Sequence, residues 1–265
     1  MKNPLSGFPL AIAAAMIIAL SAPQLIFARA HQRGPSGPVD VALASDLRSA
    51  DDKARDANRQ PKKTLEFFGF EPDMRVIEIL PGGGWYTKIL VPALREQGEY
   101  YAAGGLVKAM GFGGILDGVT QLEGFEELNI IDISPAMTRT DRIGYLDMGP
   151  ADFGVTEVDL VLTFRNLHNL TPSGRAELYI ATLAALKDGG KFGVVDHTRR
   201  HMAPMTDESW RRLDPVQVIK EITGAGFKFV DYSELHYRPD DELRFEVGRK
   251  TVRGNSDRFT LLFEK

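Results

Sequence analysis

Cysteine is absent from this chain, which removes disulfides, cysteine-ligated metals and thiol catalysis together. Neither sign of charge dominates. The 32 Lys and Arg against 36 Asp and Glu leave a net charge of −4. So balanced a chain offers no broad basic surface, and no nucleic-acid partner is expected. No internal repeat is visible, and the His-Glu-x-x-His pattern of zinc hydrolases does not occur.

Charge is also missing from one long stretch near the start. After Lys2, no charged residue occurs from Leu5 to Ala28, and the most apolar part is Leu10 to Leu20. Ala28-Arg29-Ala30 then follows as a small-x-small cleavage pattern. A positive start, an apolar middle and this ending describe a secretory signal peptide over residues 1–30, with the mature chain beginning near His31. A retained membrane anchor is the alternative, since the stretch is long enough to span a bilayer; Pro9, Ser21, Pro23 and Gln24 weaken a continuous spanning helix. Either way the folded part, residues 31–265, is expected outside the cytoplasm, periplasmic or secreted. Contact with a membrane is expected only through this segment if it is uncleaved. That folded part is of single-domain size.

His31 to Val39 reads as a linker. Leu47 to Arg59 is polar and helix-compatible, with Ser45 or Asp46 as its cap. Thr64 to Phe68 is a short helix that Gly69 stops. A first strand spans Arg75 to Ile79, and Trp85 to Arg95 forms a helix that Pro92 can kink. Glu99 to Ala103 is a second strand. Leu128 to Ile133 or Ile143 to Leu146 supplies a third. Val158 to Phe164 has the near-continuous apolar character of a central parallel strand. Pro172 to Leu186 is a helix capped by Thr171. Asp188-Gly189-Gly190 is a turn, and Lys191 to Asp196 is the next strand. A helix over Pro215 to Gly224 and strands over Phe227 to Tyr232 and Arg258 to Glu264 complete the order. Strands alternating with helices imply an α/β fold, a parallel sheet covered on both faces.

The densest signal is Glu78-Ile79-Leu80-Pro81-Gly82-Gly83-Gly84-Trp85-Tyr86, a glycine loop between a strand and a helix. That geometry brings backbone N–H groups and a helix start against a ligand, and the acid before it can accept hydrogen bonds from polar ligand groups. A nucleoside-type cofactor fits. A tight turn needing positive φ explains one such glycine well and three in a row poorly.

With this loop, three other stretches resemble the class I S-adenosylmethionine-dependent methyltransferases. They are Asp159 to Leu170, Leu186 to Phe192 and Ile222 to Phe227. Pro81 to Thr87, Phe164 to Asn169, Val195-Asp196-His197 and Ser256 to Leu261, together with the signal segment, are similar more narrowly to a group of exported bacterial predicted methyltransferases. The resemblance implies a doubly wound, seven-stranded, mostly parallel sheet of the Rossmann-like methyltransferase fold, with a last antiparallel strand. It implies S-adenosyl-L-methionine as cofactor over the strand ends, with Glu78, Pro81, Gly82, Gly83, Gly84, Trp85 and Asn166 as its contacts. Two positions depart from the pattern. Leu80 stands where the family usually has glycine, and Ala102-Ala103-Gly104-Gly105 carries no carboxylate where the family often holds the ribose.

Ligands in open α/β sheets sit outside the carboxyl ends of the strands. That rule gathers Glu78, Arg165, Asn166, His168, Asp196 and His197. His168 and His197 are candidate bases, since imidazole titrates near neutrality. Asp196 orients a histidine or touches substrate, and Arg165 is placed to hold an anionic group. Each has a plainer reading: histidines bonding backbone carbonyls, Asn166 satisfying loop backbone, Trp85 in the core, and Asp257-Arg258 as a surface pair. His201, Met202 and Met205 read as loop content. The leading expectation is methyl transfer to a small-molecule or envelope acceptor. The alternative is a non-catalytic exported binding protein that retains the methyltransferase fold. A nicotinamide oxidoreductase fits less well, because Thr87 stands where a third glycine belongs. A hydrolase with His168, Asp196 and His197 on a metal is remoter, and no metal is expected.

Overall fold

The structure is a computed structural model that describes residues 37–111, 120, 124–125 and 128–265. The expected signal segment lies outside the described residues. Among the described residues four short helices come first: α1 (Pro38–Ala44), α2 (Ala50–Ala54), α3 (Asp56–Arg59) and α4 (Pro61–Phe67). Strand β1 (Arg75–Ile79) leads through the glycine loop into α5 (Thr87–Leu94). Then come β2 (Glu99–Gly104), α6 (Leu106–Met110), β3 (Asn129–Asp132), β4 (Met137–Arg139), β5 (Leu146–Met148) and β6 (Val158–Phe164). The order closes with α7 (Pro172–Ala185), β7 (Leu186–His197), α8 (Pro215–Gly224), β8 (Lys228–Ser233) and β9 (Arg258–Glu264).

Seven strands form one sheet in the order β3-β2-β1-β6-β7-β9-β8, while β4 and β5 pair separately. Pairings from β3 to β7 are parallel, and β9 runs antiparallel to both β7 and β8. The chain enters this sheet near its middle, at β1, and winds outward in both directions. The point of reversal therefore lies between β1 and β6, the place where open α/β sheets bind ligands.

Period-2 alternation along the strands splits the core in two. Ile77, Ile79, Val161, Phe192 and Val194 face one way and pack with Leu178, Tyr179, Val218 and Ile222 of α7 and α8. Val76, Leu160, Leu162, Phe164 and Val195 face the other way and pack with Leu65, Phe68, Ile89 and Leu90. The four leading helices thus form an arm against the second face. Gly193 makes room for it: a Cβ there would come within 2.8 Å of the Phe68 ring.

Several boundaries differ from the sequence reading. The linker expected over His31 to Val39 ends sooner, since α1 begins at Pro38. The polar stretch Leu47 to Arg59 is broken at Arg55 into two helices, and Ser49 rather than Ser45 or Asp46 caps the first in a reciprocal capping box with Asp52. Gly69 does stop α4 in the left-handed region, at φ 69°, with Phe70 N bonding Leu65 O. The Asp188-Gly189-Gly190 turn is a bulge inside β7: pairing to β6 jumps from Leu186 to Lys191. Of the two third-strand candidates, Asn129–Asp132 joins the sheet, and Leu146–Met148 pairs with β4 instead.

Candidate active site

The loop after β1 begins with strain. Leu80, not a glycine, adopts φ 51°, a conformation that costs a side-chain-bearing residue about 1–2 kcal/mol. Its surroundings impose it. The Leu80 side chain is buried in the α7-side core, and its N–H donates to Ala103 O at 2.7 Å. The Asn166 amide donates to Leu80 O at 2.9 Å and also reaches Ile79 O and Phe164 O. Asn166 therefore takes its plainer role of satisfying backbone, and in doing so clamps the loop between β1 and β6.

Gly82 and Gly84 have φ 58° and 70° and need to be glycine for that reason. Gly83 does not share the positive φ, and a Cβ built on it would meet nothing within 4 Å. Neither backbone conformation nor packing demands glycine at 83. The space beside it is open, as a site for close backbone approach by a ligand requires.

Glu78 is buried at the loop's root. It accepts from Tyr100 Oη at 2.7 Å and Thr87 Oγ1 at 2.8 Å. Burial pushes its carboxyl up to about 7, against the pull of those two donors and of nearby Arg59. Trp85 is core as well as cavity wall. The guanidinium groups of Arg48 and Arg59 lie 5.1 and 4.3 Å from its ring centroid, and Nε1 donates to Asp52 O at 3.1 Å. Asp52 also holds Lys88 of α5 at 2.8 Å. The arm is thereby bolted to the glycine loop and the helix after it. Tyr86 stacks on Phe164 with centroids 3.6 Å apart, joining that helix start to the end of β6.

A second group forms where β6 and β7 end. His168 sits in a single 3₁₀ turn, Leu167–Asn169, and His197 is the last residue of β7. Asp196, wholly buried between them, accepts from His168 Nδ1 at 2.6 Å, His168 N at 3.2 Å and His197 N at 2.7 Å. His168 therefore carries its hydrogen on Nδ1, leaving Nε2 as the basic atom. His197 Nδ1 lies 2.9 Å from Ser256 Oγ. Burial above all, with the charge of Arg165 among the lesser causes, drives the His197 imidazole well below its usual range, so it stays neutral.

These groups line two cavities. A small one, about 200 Å³, is walled by the glycine loop, Glu78, Trp85, Tyr86 and Asn166. A larger one, about 700 Å³, is walled by both histidines and the 247–258 segment. Arg55, Arg59 and Arg165 line both. The candidates drawn from sequence thus divide between two adjoining spaces: Glu78, Pro81, Gly82, Gly83, Trp85 and Asn166 on the first, His168 and His197 on the second. Gly84 and Asp196 stand behind these walls.

The surface pair expected at Asp257-Arg258 is buried. Asp257 accepts from Arg238 N at 2.6 Å, and Arg258 donates to Asn58 O at 2.8 Å and Ser256 O at 3.2 Å. The arm covers this end of β9 and withdraws it from solvent. His201 is held by Asp214 at 2.9 Å, with Met202 and Met205 exposed beside it. Sequence reasoning missed Arg59 and Arg258 as site residues. A polar helix carries no mark of the strand ends it will cover. The carboxylate missing from the end of β2 has a neighbour one strand over, where Asp132 pairs with Gly104 in register but is engaged by Lys108.

No protein-family model matches the chain, and no curated protein matches it. Solved structures do. A SAM dependent methyltransferase from Aquifex aeolicus is 15% identical, with 81% of this chain and 94% of that chain covered and a TM-score of 0.53. The [4+2]-cyclase SpnF is 14% identical over 84% of each chain, TM-score 0.52. A Burkholderia thailandensis 1,6-didemethyltoxoflavin-N1-methyltransferase, with 1,6-didemethyltoxoflavin and S-adenosylhomocysteine bound, is 13% identical over 81% of this chain and 80% of that chain, TM-score 0.51. The chain has the Rossmann-like methyltransferase fold. At these identities the likeness concerns the fold, and the cyclase shows that the fold alone does not name the reaction.

Proposed function

We propose that this protein transfers a methyl group from S-adenosyl-L-methionine to a small-molecule or envelope acceptor. The observation that carries the reading is Gly83: open space faces a glycine that neither φ nor packing requires, at the reversal point of the sheet. Gly82, Gly83 and the loop backbone would hold the donor there, and the bound donor would supply an electrophilic methyl on its sulfonium. The residues fit that group, since the loop is exposed and backed by Glu78, Trp85 and Asn166.

The chain's own residues then do the rest. His168, oriented through Nδ1 by Asp196, takes the acceptor's proton at Nε2, and Asp196 stabilises the imidazolium so formed. His197, held neutral, presents a polar wall without adding charge. Export follows the same reading of the chain: residues 1–30 act as signal peptide, and the domain works in the periplasm or outside the cell. N-terminal sequencing of the exported protein, expected to begin near His31, tests that part.

Calorimetric titration with S-adenosylhomocysteine tests the cofactor. Binding is expected in the parent and about tenfold or more weaker in Gly83→Val, with cooperative unfolding unchanged. Equal affinity in both would remove the loop from the cofactor site. A second reading is favoured by Leu80 and by the carboxylate-free Ala102 to Gly105: an exported binding protein without turnover. Donor binding with no methyl transfer to any acceptor would select it.

A further inference from the structure

The larger cavity has an unusual charge. Among the described residues fifteen line it, six of them arginines, Arg55, Arg59, Arg165, Arg211, Arg253 and Arg258, and none Asp or Glu. Arg55 and Arg211 are neutralised from behind by Asp52 and Glu246, each at 2.5 Å. The other four have no carboxylate ion pair among the described residues. Arg258 at least donates to two carbonyls. Arg59 and Arg165 make no side-chain hydrogen bond to any described residue, although Arg59 is only 7% exposed. The Trp85 face offsets only part of the Arg59 charge. An unpaired buried charge costs more than such a contact restores. Arg165 adds backbone strain at φ 62°, of the kind retained at ligand sites. Crowding shows in the titration too: burial, and then Arg165, bring Arg59 down to about 9 and Arg258 to about 10.

A methyl donor worsens this balance, because its sulfonium is positive. A neutral acceptor would leave that charge facing four guanidinium groups without a carboxylate ion pair, of which Arg165 and Arg258 feel only the more distant carboxylates of Asp196 and Asp257. An oxyanion supplies the missing countercharge and matches the planar forks of arginine. We infer that the acceptor bears an oxyanion, a phosphate or a carboxylate, seated between Arg59 and Arg165 in the larger cavity. The inference rests on the methyl-transfer reading for the word acceptor, and on the cavity alone for the anion.

The test is calorimetry of the purified protein with pyrophosphate and with malonate, each with and without S-adenosylhomocysteine. Saturable binding of at least one probe is expected, undiminished by S-adenosylhomocysteine. It should weaken about tenfold or more in Arg165→Gln, whose melting temperature without ligand should not fall, since the parent group has no partner to lose. Preference for pyrophosphate marks a phosphate, and preference for malonate a carboxylate. Arg253→Gln, at the exposed rim, shows the same direction should the first variant not fold. Failure of both probes to bind overturns the inference, as does equal binding in the variants. Competition of both probes with S-adenosylhomocysteine overturns it too, because the arginines then serve the donor's own carboxylate. If probes bind and S-adenosylhomocysteine never does, the anion site stands and the methyl-transfer reading falls.

Discussion

His236 donates its Nε2–H to the carbonyl of Arg59 at 2.9 Å, across 177 residues of sequence. A carbonyl only accepts, so Nδ1 is the acceptor for Thr260 Oγ1 at 2.7 Å. The ring is neutral in the fold. Burial, and then the charge of Arg258, push it down to about 4. This bond ties the arm, at the residue beside the cavity, to the strand that closes the other wall.

Stability should therefore depend on this ring at acid pH. Between about 4 and its ordinary 6.5 the unfolded chain binds a proton that the fold does not. The contribution is present above 6.5 and is lost as pH falls toward 4, on the order of 3 kcal/mol in all. His236→Gln should flatten that loss, measured as urea midpoints against pH. An unchanged slope would mean that the ring is protonated in the fold.

Glu78 should act in the opposite sense. Its folded value, about 7, lies above its ordinary 4.5, so from 4.5 to 7 the fold holds a proton the unfolded chain releases. Stability from this group falls as pH rises through that window. Glu78→Gln keeps an oxygen for Tyr100 and Thr87 and should leave the variant gaining stability with pH where the parent is nearly level. If parent and variant curves run parallel, Glu78 is ionised throughout.

At Leu80 the usual order of substitutions should reverse. Leu80→Ala opens a core cavity, about 2–5 kcal/mol, and keeps the strained φ. Leu80→Gly removes one more carbon but relieves the strain. The glycine variant should be at least as stable as the alanine variant in chemical denaturation. A clearly weaker glycine variant would show that φ 51° is not held in solution.

His168→Ala, on the methyl-transfer reading, should lower turnover by about two to four orders of magnitude while affinity for S-adenosylhomocysteine stays near that of the parent. Asp196→Asn should cost both activity and about 2–3 kcal/mol of stability, because three donors point at a carboxylate that an amide can only partly replace. Full activity in His168→Ala would leave proton removal to another group.

The order of strands and helices was legible because buried parallel strands are nearly all apolar. Val158 to Phe164 announces itself, and Thr171-Pro172 marks a helix start by its cap. The third strand was ambiguous for a physical reason: Asn129–Asp132 is an edge strand, mostly exposed, with little apolar signal. The histidines were placed because apolar runs must stop where strands leave the core. Arg165 was placed by the same rule, but Arg59 was not, because it reaches the strand ends only through the docking of Trp85 and Asp52, contacts between segments more than twenty residues apart.

Strand β9 lies between β7 and β8 yet follows both along the chain. While the chain folds, β7 and β8 each wait with an unpaired edge until β9 arrives, and no local turn brings it there. Long-range closure of this kind is slow, and a waiting edge is a template for the wrong partner. The interval before β9 inserts is therefore when this protein is most exposed to aggregation, and a chaperone that shields strand edges would act on that interval rather than on the finished fold.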